Sequence, residues 1–114
     1  MPRSVLVVDD SAAFRATARV LLSARGYDVV GMADSVAGGL AAARDLKPDC
    51  VLLDVNLPDG DGLSIAAAFD TAVVLVSTLD ADELGDALAG SGARGFVGKA
   101  ELASPRLVEL LGPP

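Results

Sequence analysis

Five positions in this chain carry side chains suited to phosphoryl chemistry: the acidic pair Asp9-Asp10, then Asp54, Ser77 and Lys99. Asp54 closes the apolar run Val51-Leu52-Leu53, and the turn-rich stretch from Asn56 through Pro58 to Gly62 follows at once. Short apolar runs stopped by turn residues read as buried strands, so Asp54 belongs at the C-terminal lip of a central strand. A charge there is costly unless something pairs with it. Carboxylates gathered into one crevice repel by about 4 kcal/mol at ~4 Å separation. A hard cation relieves that repulsion, and an all-oxygen donor set suits Mg²⁺ or Mn²⁺, which keep waters and leave room for a phosphate oxygen. Ser77 adds a hydroxyl and Lys99 a point positive charge. Metal, hydroxyl and ammonium together match the outer oxygens of a phosphoryl group. Asp54 is then the candidate nucleophile, giving an aspartyl phosphate.

Those side chains need a scaffold, and the rest of the chain predicts one. The apolar runs at 4–8, 51–54 and 72–76 read as strands buried on both faces, with a more polar strand at 27–32 nearer an edge and a short one at 94–98. Helices are expected over 12–24 behind Ser11, over about 36–46 behind Asp34 or Ser35, and over 80–89. Only about two turns fit between Leu63 and Phe69, and a short last helix opens with Ser104 as cap and Pro105 at its first position. Gly38 and Gly39 weaken the second helix by up to ~1 kcal/mol each. Five alternating βα units predict a parallel α/β sheet, doubly wound with helices on both faces and strand order 2-1-3-4-5. Such sheets bind ligands at the C-terminal strand ends, where Asp9, Asp10, Asp54, Ser77 and Lys99 all fall.

Composition narrows the function. At 114 residues the chain has the size of one domain, and its hydrophobic fraction of 52% with only 4% aromatic residues means that Ala, Val and Leu build the core. The net charge of −7 argues against direct binding to nucleic acid or to an anionic membrane surface. No apolar run approaches the roughly 20 residues of a membrane span. With no histidine, Ser-His-Asp and Cys-His catalysis and His-ligated metal sites are excluded. The single cysteine, Cys50, reads as a buried hydrophobe in a reducing compartment, and the expected location is cytoplasmic.

Taken in order, Asp9-Asp10, Leu53-Asp54 with Leu57-Pro58 and Gly60-Asp61-Gly62, Ser77, and Gly92-Ala93-Arg94-Gly95-Phe96 leading to Lys99 resemble the receiver domain of a bacterial two-component response regulator. The resemblance spans the whole chain and implies a flavodoxin-like fold, a single receiver domain over 1–114 with no output domain, and no enzymatic turnover. It implies that Asp54 takes a phosphoryl group from a histidine kinase or phosphotransfer protein. Mg²⁺, with Mn²⁺ as a substitute, would be held by Asp9 (partly through water), Asp10, Asp54 and the backbone carbonyl of Asn56. Ser77 and Phe96 would be the switch pair, and Lys99 would sense the phosphoryl charge. The downstream partner would dock on the face made by the fourth helix, fifth strand and fifth helix (80–89, 94–97 and 104–111), and homodimerisation on phosphorylation is open to such a domain. By the same resemblance Leu79 and Asn56 flank the route of a hydrolytic water, where an apolar Leu79 slows loss of the phosphate.

Three departures stand out. Only 23 positions separate Asp54 from Ser77, which thins the third helix and its loop. Ala100 follows Lys99 where most receivers carry proline, so the turn is either trans or strained; the Lys-Ala pair resembles receivers attached to DNA-binding regulators. The last helix has barely two turns. The alternative to phosphoacceptance is a receiver-like interaction module that binds its partner without phosphate. An Asp-nucleophile phosphatase is disfavoured by Asn56, which stands where that chemistry wants a general acid.

Overall fold

The computed structural model describes residues 2–78 and 90–114; the helix expected over 80–89, and Leu79 before it, lie outside the described residues. The chain runs through β1 (Ser4–Val8), α1 (Ala12–Ala24), β2 (Asp28–Ala33), α2 (Val36–Leu46) and β3 (Cys50–Asp54). A miniature hairpin of β4 (Asn56–Leu57) and β5 (Gly60–Asp61) follows, then α3 (Gly62–Ile65) with a 3₁₀ turn at Ala66–Ala68, and β6 (Ala72–Ser77). After the gap come β7 (Gly95–Gly98), a 3₁₀ turn at Lys99–Glu101 and the C-terminal helix (Pro105–Leu111).

The main sheet has five strands in the order β2-β1-β3-β6-β7. All of its pairings are parallel. With the hairpin set aside this is the expected order 2-1-3-4-5, and the more polar β2 is indeed at an edge. Successive side chains of a strand point to opposite faces, and β1 shows the result. Val5 and Val7 pack with Ala18 and Leu22 of α1 and with Leu107 and Leu111 of the C-terminal helix. Leu6 and Val8 pack on the other face with Ala66 and Phe69, against which Val36, Leu40 and Ala43 of α2 are half-buried. Two apolar layers on a sheet buried on both sides supply the rigidity that a set of strand-end side chains needs.

Local chemistry explains most element ends. Ser11 Oγ accepts from the Phe14 N–H at 3.2 Å and starts α1. Ser35, of the two residues considered, caps α2 by accepting from the Gly38 N–H at 3.0 Å. The glycine cost in α2 has a packing reason: a Cβ on Gly39 would lie 3.0 Å from both Val8 methyls, so the helix sits close on the sheet. Ser104 departs from expectation. It occupies the N-cap position before Pro105, but its hydroxyl makes no cap hydrogen bond and is buried without a hydrogen-bond partner among the described residues. Proline at the first position leaves one fewer unpaired N–H at the helix start. Side chains instead hold this helix's surroundings: Arg25 donates to the Ser104 and Ala103 carbonyls, Arg94 to the Leu110 carbonyl and the Tyr27 hydroxyl to the Gly112 carbonyl. The turn after Lys99 is trans, since no cis peptide occurs among the described residues. From sequence the hairpin reads as a plain turn, since its strands of two residues each are too short to show alternation.

Candidate functional site

The C-terminal ends of β1, β3, β6 and β7 converge on one spot. Asp9 directly follows β1, Asp54 is the last residue of β3, Ser77 the last of β6, and Lys99 follows β7. Register makes this convergence: Val8 lies beside Leu53, Asp54 beside Val76 and Ser77 beside Gly98. Asp9 is 0% exposed, Ser77 1% and Asp54 4%, while Asp10 reaches solvent. One carboxylate oxygen from each of Asp9, Asp10 and Asp54 lies within 4.8 Å of the others.

Asp9 faces two ways, one for each oxygen. Its Oδ1 accepts from the Ser11 N–H at 2.8 Å and helps start α1. Its Oδ2 is buried, lies 2.7 Å from Lys99 Nζ as an ion pair, and has no hydrogen bond of good geometry. Arg15 fixes the same stretch by donating to the Asp9 carbonyl at 2.7 Å. Lys99 Nζ also lies 3.4 Å from Asp54 Oδ2 and 4.6 Å from the centroid of the Phe14 ring. An ammonium over an aromatic face gains about 0.5–2 kcal/mol, so Phe14, which packs against the core from α1, also orients the lysine. Asp54 Oδ1 accepts from the Asn56 N–H at 3.2 Å.

Electrostatics follow from this packing. Burial first, then the Asp9 charge, push the Asp54 carboxyl above its ordinary range, against the pull of the Asn56 N–H and of Lys99. Burial works to discharge Lys99, but Asp9 and Asp54 outweigh it and raise its pKa, so the ammonium persists at neutral pH. Desolvated carboxylates with a single ammonium form an unfinished charge balance, and the donor set is all oxygen. That fits a small hard divalent cation and suits no thiophilic metal.

The turn after Asp54 is held tightly. A Cβ on Gly62 would sit 2.3 Å from the Asp54 carbonyl oxygen, so only glycine fits there. The Gly62 N–H donates to the Val55 carbonyl at 2.8 Å, and Asp61 caps α3 by accepting from the Leu63 N–H at 2.9 Å. Phe96 is half-buried on β7, packs against the core layer that holds Phe69, and lines the same cavity as Ser77 and Lys99. Asn56 is exposed on β4. Every residue singled out for the site from sequence is therefore at or beside this crevice, apart from Leu79, which lies outside the described residues.

Comparison with known proteins agrees with this geometry. The family model described as response regulator receiver domain matches residues 5–111. The response regulator GacA of Pseudomonas viridiflava is 40% identical over 83% of this chain and 47% of its own length. Protein-glutamate methylesterase/protein-glutamine glutaminase 5 of Myxococcus xanthus is 41% identical over 97% of this chain and 34% of its own length. This chain thus spans about half or less of the curated relatives it matches. Among solved structures, the signal receiver domain of NarL from Mycobacterium tuberculosis superposes with a TM-score of 0.83 at 32% identity, covering 97% of this chain and 98% of that one. The response regulator domain of Thermotoga maritima CheB does so with a TM-score of 0.83 at 27% identity, covering 97% and 94%. The chain belongs to the response regulator receiver domain family.

Proposed function

We propose that this domain is a phosphoacceptor switch in which Asp54 takes a phosphoryl group from a histidine kinase or phosphotransfer protein. The observation that carries the reading is the pairing of two buried carboxylates, Asp9 and Asp54, with one ammonium between them at the open end of the sheet. An Asp54 oxygen would attack the phosphorus of a phosphohistidine; the P–N bond breaks, and its electron pair returns to the departing imidazole. Asp9, Asp10, Asp54 and the Asn56 carbonyl would hold Mg²⁺, which supplies neutralisation of charge on the phosphoryl oxygens. Lys99 is placed to stay bound to the new anion once Asp54 has become an acyl phosphate. Ser77 offers its hydroxyl to a phosphoryl oxygen, and Phe96 follows it inward. That change biases the surface formed by 80–89, β7 and the C-terminal helix, where a downstream protein would dock or a second copy would pair. On this reading the domain transfers a signal and turns over no substrate of its own.

The test is incubation with acetyl phosphate and Mg²⁺, followed by mass mapping of peptides. The expected result is one added phosphoryl group on the peptide holding Asp54, lost on chelation and in Asp54→Asn. No adduct under any condition would refute phosphoacceptance and leave a module that binds its partner without phosphate.

A further inference from the structure

Asp59 lies at the tip of the β4–β5 hairpin and reaches across to a different element. Its Oδ1 accepts from the Val36 N–H at 2.7 Å and its Oδ2 from the Ala37 N–H at 3.1 Å. Both donors belong to the first turn of α2, whose own cap, Ser35, serves Gly38 instead. The N-terminus of a helix presents unpaired N–H groups and partial positive charge, so a carboxylate is well matched to it. These two bonds hold the Asp59 carboxyl below its ordinary range. The hairpin is further seated by Gly60, where a Cβ would come 2.8 Å from a Val36 methyl. The helix it grips packs closely on the sheet, because Gly39 brings α2 against Val8 at the end of β1.

The other end of the same hairpin is the functional site. Asn56 pairs with Asp61 across the two strands, and its N–H donates to Asp54 Oδ1. A hairpin of two residues per strand cannot hold its own geometry in water. Its shape must be imposed from outside, at its base by Val55 and Gly62 and at its tip by Asp59.

We propose that Asp59 is a positioning residue for the cation and phosphoryl site: by tying the hairpin tip to the first turn of α2, it sets where Asn56 presents its backbone to Asp54 and to a bound Mg²⁺. The proposal rests on the reading of Asp9, Asp10, Asp54 and the Asn56 carbonyl as the cation's ligands. Outer partners that orient ligands typically change metal affinity by 10–100-fold when removed.

The experiment uses the full chain as wild type, Asp59→Ala, Asp59→Asn and Ser35→Ala. It measures Mg²⁺ affinity from the Asn56 amide signal in NMR titrations, with metal-free melting temperature and hydrogen exchange at Asn56 alongside. Asp59→Ala is expected to weaken Mg²⁺ binding about tenfold and to speed exchange at Asn56. Asp59→Asn, which keeps one acceptor oxygen, recovers part of both. Ser35→Ala removes a cap from the same helix without touching the hairpin, so it lowers the melting temperature and leaves Mg²⁺ affinity and Asn56 exchange unchanged. Equal Mg²⁺ affinity in wild type and Asp59→Ala would overturn the inference, as would an equal loss in Ser35→Ala, which would reduce the effect to helix stability. A wild type that binds no Mg²⁺ would instead overturn the proposed function, and this inference with it.

Discussion

Replacing Lys99 with methionine keeps the length of the side chain and removes its charge, so it isolates what the ammonium contributes. At an effective dielectric near 20, Nζ at 2.7 Å from Asp9 and 3.4 Å from Asp54 corresponds to gross attractions of about 6 and about 5 kcal/mol. The two carboxylates, with oxygens within 4.8 Å, then repel by at least about 3.5 kcal/mol with nothing between them. Desolvation of all three groups cancels much of the attraction, and removing one partner of a buried pair costs 3–5 kcal/mol in practice. The Lys99 side chain is 18% exposed, so water takes part and the lower end, about 3 kcal/mol, applies. For a domain of this size that is a fall in melting temperature of about 12 °C. On the proposed function Mg²⁺ would fill the same charge deficit, so added Mg²⁺ should raise the melting temperature of Lys99→Met by more than it raises that of wild type. Thermal denaturation with and without Mg²⁺ reads both effects. A metal-free variant as stable as wild type, or equal stabilisation of the two proteins by Mg²⁺, would refute the charge balance described for the crevice.

Other consequences follow from the same geometry. The folded Asp54 carboxyl titrates above its ordinary 3.8, so the native state binds a proton more tightly than the unfolded chain. Its contribution to metal-free stability is therefore largest below 3.8 and is lost as pH rises through the raised folded value. Urea midpoints measured from about pH 4 to about pH 7 should fall in wild type relative to Asp54→Asn, and parallel profiles would contradict this. Gly62→Ala forces a Cβ to within 2.3 Å of the Asp54 carbonyl oxygen and should cost about 2 kcal/mol or more in urea unfolding; a neutral result would show that the turn yields. Cys50, whose thiol burial pushes up to about 11, should resist alkylation at neutral pH in the native protein and react only on unfolding. If an apolar Leu79 slows hydrolysis, then Leu79→Ser shortens the lifetime of the phosphorylated protein, and an unchanged lifetime removes that role.

The main sheet was legible because β1, β3 and β6 are short, unbroken apolar runs, each closed by a polar residue, a pattern that buried parallel strands impose. The strand-end residues of the site were legible for the same reason: the register of a parallel sheet carries Asp9, Asp54, Ser77 and Lys99 to one end whatever the loops do. What escaped were contacts between elements far apart in sequence. Nothing in the spacing of Phe14 says that a lysine from the opposite end of the chain lies over its ring. Asp59 reads as one more turn aspartate, although its carboxyl caps a helix that begins 23 positions earlier. Asp9 does two things because a carboxylate has two oxygens: one accepts from the Ser11 N–H at the start of α1 and the other pairs with Lys99, 90 positions on. Ser104 followed by Pro105 has the right residues for a capped start, yet its hydroxyl makes no cap hydrogen bond, and the long-range contacts that hold this helix come from Arg25, Arg94 and Tyr27.

Phosphoryl transfer to the Asp54 carboxylate itself has a direct chemical readout. An acyl phosphate, unlike a phosphoserine, is reduced by borohydride to an alcohol, so reduction leaves homoserine in place of the modified aspartate. Incubation with a phosphorylated histidine kinase or acetyl phosphate in Mg²⁺, then borohydride reduction and sequencing by mass spectrometry, reads the acceptor directly. Homoserine is expected at position 54 and nowhere else, and absent without Mg²⁺. Homoserine at another aspartate, or a stable phosphate on Ser77 with Asp54 intact, would contradict it.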